Sequence, residues 1–294
     1  MTSLCDRYLP ADADGIRARV GLVSDTHAPQ RCPELPQAMF DAFEGVNAIL
    51  HAGDVGDLSV LDRLGEVAPV VAVHGNDETH EAPLVLPEKV VVQVAGVRLF
   101  MAHGHRLRAE ADARPERPDD WPTILDDRRR LADGTGADVV VFGHLHVPMA
   151  VEQDGLLFVN PGIVGHSHVV LRSTVRSVAL LFVGDDLRVV HVDVETGEAF
   201  EPDVDWDGGY WASMDRINES IVHPSLGGWQ EFWRTLRDVD QSVTWRALLA
   251  VATRCWTGET RWITRDLLHA ELTRDPRVDR DLLDAYERVL DDLA

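Results

Sequence analysis

The sequence predicts an α/β fold, two sheets packed face to face with helices on their outer surfaces, followed by an all-helical region. Three observations carry this. Up to residue 74, apolar β-branched runs alternate with segments of helical spacing, the rhythm of βαβ units and a parallel sheet. From residue 89 onward the runs are joined instead by tight turns, Ala95-Gly96, Asp154-Gly155 and Gly184-Asp185, which mark hairpins. Between Thr196 and Gly209 the composition shifts. Beyond it no strand pattern remains, and seven of the eight tryptophans lie between Trp206 and Trp262.

Residues 1–16 are polar, with Pro10, Gly15 and several Asp, and read as a flexible arm. Residues 17–24 are a first strand. Residues 33–43 place Leu35, Ala38, Met39, Ala42 and Phe43 at helical spacing. Residues 46–51 are a second buried strand, 58–65 a short helix starting near Ser59, and 70–74 a third strand. Residues 89–94 and 97–102 are the arms of a hairpin, and 106–120 a charged, Pro-containing insertion. A helix over 123–133 leads to a buried strand over 138–143. Hairpin strands follow over 150–151, 156–159, 177–183 and 187–194. In the tail, Ser225, Ser242 and Thr264 are the expected N-caps of helices over 226–239, 243–256 and 265–273, and a last helix covers 280–293. The domain boundaries expected are therefore 1–16 for the arm, 17–195 for the α/β domain and 196–294 for a Trp-rich helical extension.

Composition narrows the function. Basic minus acidic residues is 28 − 50 = −22, so the surface field repels nucleic acid and an extended nucleic-acid-binding face is disfavoured. A small phosphate ester entering a metal site is compatible with that charge. Cys5, Cys32 and Cys255 are scattered and odd in number, which argues against a disulfide framework or a thiolate zinc site and fits a reducing compartment. The first residues carry no apolar signal core and no apolar run approaches membrane-spanning length, so a cytoplasmic protein without membrane contact is expected.

The chemistry-bearing residues sit where the strands end. The runs terminate in Asp25-Thr26-His27, Gly53-Asp54, Gly75-Asn76-Asp77, His103-Gly104-His105 and Gly143-His144-Leu145-His146. Singly, each is an ordinary turn or a lone histidine. Together they line one sheet edge with hard and borderline metal ligands and no thiolate, a donor set open to Mn²⁺, Fe, Zn²⁺, Co²⁺ or Ni²⁺. Gly53, Gly75 and Gly143 are expected to let the backbone turn sharply beside the ligands.

This ordered set, with the phrases Ser24-Asp25-Thr26-His27, His51-Ala52-Gly53-Asp54-Val55 and Asn160-Pro161-Gly162, resembles the calcineurin-like metallophosphoesterase superfamily, in particular its small bacterial and archaeal phosphodiesterase branch. The resemblance covers roughly residues 17–195. It implies a four-layer α/β/β/α metallophosphoesterase sandwich, here with a C-terminal α-helical extension. It also implies a dinuclear centre, Mn²⁺ foremost, with Asp25, His27 and His146 on one ion, Asn76, His103 and His144 on the other, and Asp54 bridging. A water bridging the pair would be deprotonated near neutral pH and attack phosphorus in line with the leaving alkoxide.

The expected activity is hydrolysis of phosphoesters, a phosphodiesterase on small or nucleotide-like substrates. The alternatives are a phosphomonoesterase or nucleotide pyrophosphohydrolase, or a non-catalytic interaction scaffold, since some relatives keep the sandwich and act by binding partners. A homo-oligomer or a partner engaged through the helical extension is a further expectation. Asn76, His105 and His166 are candidate substrate contacts, and His168 is a second histidine that follows the same loop. Asn160 and Gly162 are expected to shape the loop beneath His144 and His146. Many relatives carry a His directly after Gly-Asn, where it protonates the leaving group. Here that position is Asp77. A carboxylate is a poor general acid at pH 7, which leaves Asp77 in doubt and makes His80 or His105 the substitute donor.

Overall fold

Alternation along the strands decides the layering, because successive side chains point to opposite faces. The computed structural model describes residues 4–11, 14–105 and 118–293, so most of the charged insertion expected over 106–120 lies outside the described residues. The chain divides into two compact units, one of Met1–Gly165 with Val175–Ile217, the other of His166–Thr174 with Asn218–Ala294.

In the first unit, β1 (Ala18–Val23) pairs in parallel with β2 (Ala48–His51), which pairs in parallel with β3 (Val70–Ala72). Their sheet has six strands. The hairpin arms β10 (Ser177–Val183) and β11 (Leu187–Asp193), with the short β12 (Ala199–Phe200), extend it antiparallel on the other side of β1. The second sheet runs β4 (Lys89–Val94), β5 (Val97–Ala102), β6 (Val139–Phe142), β8 (Leu156–Asn160), β7 (Met149–Gln153), with β5, β6 and β8 parallel. Leu22, Leu50 and Val73 of one sheet share an apolar core with Leu99, Met101 and Val141 of the other. Each such fully buried aliphatic chain contributes about 1.5–3 kcal/mol.

The outward faces of the two sheets carry helices. Helices α1 (Gln37–Phe43) and α2 (Ser59–Gly65) cover the six-stranded sheet through Met39, Phe43, Val60 and Leu64. After a single turn, α3 (Ala82–Val85), helix α4 (Trp121–Ala132) covers the five-stranded sheet through Trp121, Ile124 and Leu125. This is the four-layer α/β/β/α sandwich, with a helical C-terminal region after it.

Three expectations change. The arm over 1–16 is, from Leu4 to Tyr8, a 3-10 helix with Cys5 fully buried beside α1, because Cys5 N–H donates to Glu44 O and Asp6 pairs with Arg19. Helix α1 starts only at Gln37, since Pro36 holds the chain extended (φ −63°, ψ 131°) just before it. The helix α5 (Gly209–Arg216) was not foreseen, and the nearby Trp206 and Trp211 lie about half exposed in the first unit.

The second unit contains α6 (Trp229–Arg237), α7 (Gln241–Trp256), α8 (Arg265–Arg274) and α9 (Arg280–Leu293). Its core joins Phe232, Leu236, Leu248, Val251, Leu272 and Leu290 to Val169, Val170 and Leu171 from the inserted segment. That segment also supplies β9 (Leu171–Ser173), antiparallel to β13 (Asn218–Ser220). Thr264 caps α8 as expected. Helix α7 is capped by Asp240, whose carboxylate accepts from Val243 N–H at 2.9 Å, rather than by Ser242, and α6 has Gly228 at its N-cap, without a side-chain cap. Among the described residues no helix is long and apolar enough to cross a membrane.

Candidate metal centre

Parallel strands end together, so β1, β2 and β3 of one sheet and β5 and β6 of the other deliver their following residues to one edge, where ligands sit in open α/β sheets. The turns there are tight enough to force non-glycine residues into the left-handed region. Asp25 (φ 53°), His27 (46°), Asp54 (52°), His144 (67°) and His146 (63°) all adopt it. The other non-glycine cases among the described residues, Ala95 and Asp154, are hairpin turns. Such backbone costs energy and persists where surroundings over-determine it, which concentrates it at functional sites.

The turns bring carboxylate and imidazole together out of water. Asp25, His27, Asp54 and His103 are at most 3% exposed. His146 Nε2 lies 3.2 Å from Asp25 Oδ1 and His27 Nε2 lies 3.8 Å from it. Asp54 Oδ2 stands 3.6 Å from His27 Nε2 and 3.3 Å from His103 Nε2, an electrostatic contact without hydrogen-bond alignment. The ligand atoms of Asp25, His27 and His146 lie within 4.8 Å of one another, as do those of Asp25, Asp54 and His103. Donors about 2.1 Å from a common tetrahedral cation are themselves about 3.4 Å apart, so this spacing suits a metal. The His144 ring adjoins His103 at 5.1 Å between centroids, and His105 adjoins it at 5.4 Å.

Partners around the group fix which atoms are left over. Asp54 Oδ1 accepts from Asn76 N–H and Asp77 N–H, both at 2.8 Å, which leaves Oδ2 free to face the histidines. Ser24 Oγ donates to Asp25 Oδ2 at 2.6 Å, and His144 N–H donates to the same oxygen at 3.1 Å. His103 Nδ1 lies 2.8 Å from Ala52 O, so Nδ1 carries a proton and Nε2 is the atom turned to the carboxylates, where a metal would displace any proton it holds, the second-sphere arrangement of a metal-binding histidine. Among the described residues, Asp25 Oδ1 and His103 Nε2 are buried without a hydrogen bond. Two orphaned buried ligand atoms facing one point are what a cation satisfies, so the residues fit the metals that the resemblance implies.

The electrostatics agree. Burial would raise the Asp54 pKa, but the charge of the neighbouring His103 and His27 holds it well below the usual carboxylate range. Burial opposes a proton on His103, and the Asp54 and Asp25 carboxylates overcome it, raising that pKa to about 9. The cavity thus demands positive charge. Burial lowers His27 well below its ordinary value, with the Arg31 cation adding to the effect. Burial lowers His51, whose Nε2 is 3.0 Å from Thr26 Oγ1, to about 4 and keeps it a neutral strut.

Asn76 is tied to Asp54 by its backbone, and its residue is exposed. His80 is exposed in the turn before α3, and among the described residues no hydrogen bond, ion pair or ring contact joins it to the site. His105 is half-buried, with its ring 5.9 Å from His74 and 6.5 Å from His144. His166 belongs to the second unit, where it stacks on Trp256 at 4.6 Å and accepts from Ser173 N–H. His168 packs there against Trp229, Trp233 and Trp245. Asn160 donates to Gly143 O and accepts from Gly162 N–H, shaping the loop as expected.

The glycines differ in kind from the expectation. Gly75 and Gly143 are not in the left-handed region; they are needed for room, since a Cβ would stand 2.0 Å from Asp54 Oδ1 or from Ser24 Oγ.

Two residues escaped the sequence reading. The Glu78 carboxylate accepts from Val55, Gly56 and Gly75 N–H at 2.9–3.1 Å and stitches two ligand turns together. Arg31, 5% exposed, contacts His27 and Asp77. Nothing in the local pattern separates Arg31 from the many other arginines, whereas an acid just after Gly-Asn-Asp could have been read as a turn clamp.

A mixed two-sheet sandwich with carboxylates and imidazoles gathered at the ends of its parallel strands defines a metallophosphoesterase-type hydrolase fold. Residues 19–186 match the calcineurin-like phosphoesterase superfamily domain, and the chain belongs to that superfamily, on its bacterial and archaeal phosphodiesterase branch. A probable metallophosphoesterase of Methanocaldococcus jannaschii is 34% identical over 176 residues, spanning 60% of this chain and 81% of the relative. A phosphodiesterase of the same organism is 25% identical over 159 residues, 49% of this chain and 82% of that one. Among solved structures, vacuolar protein sorting 29 from Cryptosporidium parvum shares the fold with a TM-score of 0.50 at 24% identity, covering 63% of this chain and 95% of that one.

Proposed function

We propose that the protein is a dinuclear metal-dependent phosphodiesterase acting on small or nucleotide-like phosphoesters. The observation that carries this is Asp54. Its Oδ1 is consumed by two backbone N–H groups, while Oδ2 stands between His27 Nε2 and His103 Nε2, the position of a carboxylate shared by two cations. Asp25, His27 and His146 would hold one ion and Asn76, His103 and His144 the other. Bound there, Mn²⁺ or a similar pair would supply Lewis-acid charge to the phosphoryl oxygens and lower the pKa of water.

The chain's own residues orient this chemistry. Ser24 and the His144 N–H fix the Asp25 carboxylate, and Ala52 O fixes the His103 tautomer. His105, half-buried beside His103, is the group we assign to protonate the leaving alkoxide, in preference to the exposed His80. Three free, buried cysteines support a reducing, cytoplasmic setting.

The test is metal content together with Mn²⁺-dependent hydrolysis of bis-p-nitrophenyl phosphate. Two equivalents of metal, with turnover abolished in Asp54→Ala, are the expected result. Monoester turnover without diester turnover would move the assignment to a phosphomonoesterase, and absence of both metal and turnover would remove the enzyme reading.

A further inference from the structure

We propose that Arg31, tethered by Asp77, is the side chain that anchors the substrate phosphate, an inference that rests on the phosphoesterase reading above. Three observations carry it. One Arg31 guanidinium nitrogen donates to Asp77 Oδ2 at 2.6 Å and lies 2.6 Å from His27 Nδ1 and 2.8 Å from His27 Nε2, the second of these being the imidazole atom that faces Asp25 Oδ1 and Asp54 Oδ2. Arg31 is 5% exposed, nearly as enclosed as Asp25, His27, Asp54 and His103, and a buried cation is tenable only beside anions. The tether is rigid, because Asp77 N–H donates to Asp54 Oδ1 at 2.8 Å and Arg31 N–H donates to His27 O at 2.9 Å. Both ends of the Arg31–Asp77 pair are therefore indexed to the same two turns that carry the ligands.

The chemistry follows from charge. A metal held by His27 and the Arg31 guanidinium would repel each other; Asp77 offsets that repulsion from one side, and a further anion beside both would offset the rest. A phosphoryl oxygen supplies that anion, and a guanidinium offers it a planar fork of donors that an ammonium lacks. The protein's net charge of −22 repels an anionic diester at long range, so a fixed local cation is what admits it. This also accounts for Asp77 at the position where relatives carry a proton-donating histidine. A carboxylate committed to a guanidinium positions that cation and donates no proton.

The experiment uses the full chain loaded with Mn²⁺ and titrates inorganic phosphate by calorimetry, for the natural protein, Arg31→Met, Arg31→Lys and Asp77→Asn, with metal content measured for each. Arg31→Met is expected to keep its metal and to lose at least about tenfold in phosphate affinity, with Arg31→Lys in between. Asp77→Asn is expected to lose less than Arg31→Met, and KM for the diester should rise more than kcat falls in both. Phosphate affinity in Arg31→Met within about twofold of the natural protein, with metal retained, overturns the anchor. Loss of metal in Arg31→Met and Asp77→Asn alike makes Arg31 a strut of the centre instead. If the natural protein itself takes up neither Mn²⁺ nor phosphate, it is the phosphoesterase reading that fails.

Discussion

At the scale of single residues the candidate site is built from strained backbone and orphaned ligand atoms, and a metal bound there would compensate both. Chelation should therefore destabilise the protein. With metal bound only to the folded state, removal by a chelator is expected to lower Tm by roughly 5 °C or more, and Asp54→Ala should show no such response in a differential scanning measurement. Gly143→Ala tests the need for room: a Cβ 2.0 Å from Ser24 Oγ and 2.8 Å from Asp25 Oδ2 should cost about 1–3 kcal/mol and reduce metal occupancy. Gly65→Ala, which meets nothing within 4 Å at the end of α2, should be neutral or slightly stabilising. His191 gives a pH dependence. It is buried, with Nε2 2.9 Å from Asn160 O, and burial lowers its pKa from 6.5 to about 4. The unfolded chain then binds the extra proton between those values, so its contribution is intact above pH 6.5 and is lost as pH falls toward 4. At about 1.4 kcal/mol per pKa unit the loss is on the order of 3 kcal/mol, and His191→Gln should flatten that part of a stability-against-pH curve measured with urea.

At the scale of elements, the central strands β1, β6 and β10 were legible in the sequence because burial on both faces leaves continuous apolar runs, and the hairpins announced themselves through Ala95-Gly96 and Asp154-Gly155. Helix starts were less legible. Asp240 and Ser242 are both acceptable caps, and local pattern does not choose between them. The backbone path does, since Asp240 is extended (φ −157°) while residues from Gln241 onward are helical. Asp240→Ala should accordingly cost about 1 kcal/mol and Ser242→Ala close to nothing, read from the denaturant midpoint of the second unit. The short strands β9 and β13 were missed for a similar reason. Three residues carry no usable period, and their pairing is a matter of which distant segment arrives beside them.

For the molecule as a whole, the second unit is discontinuous in sequence, and Val169, Val170 and Leu171 belong to its core although they lie inside the region that the family match covers. A chain ending at Ile217 should therefore expose this apolar segment, bind a hydrophobic dye and aggregate at concentrations where the full chain stays monodisperse on a sizing column. The sequence sufficed for the sandwich and for the ordered set of candidate ligands. Parallel strands must end on a common edge, so residues that follow them converge wherever the sheets form. It did not contain the identity of Arg31 and Glu78 as neighbours of that edge, the room demanded at Gly75 and Gly143, or the capture of residues 166–174 by the helices. Each of these depends on separations of a few ångströms between segments far apart in the chain, and such distances exist only once both sheets and both cores have packed.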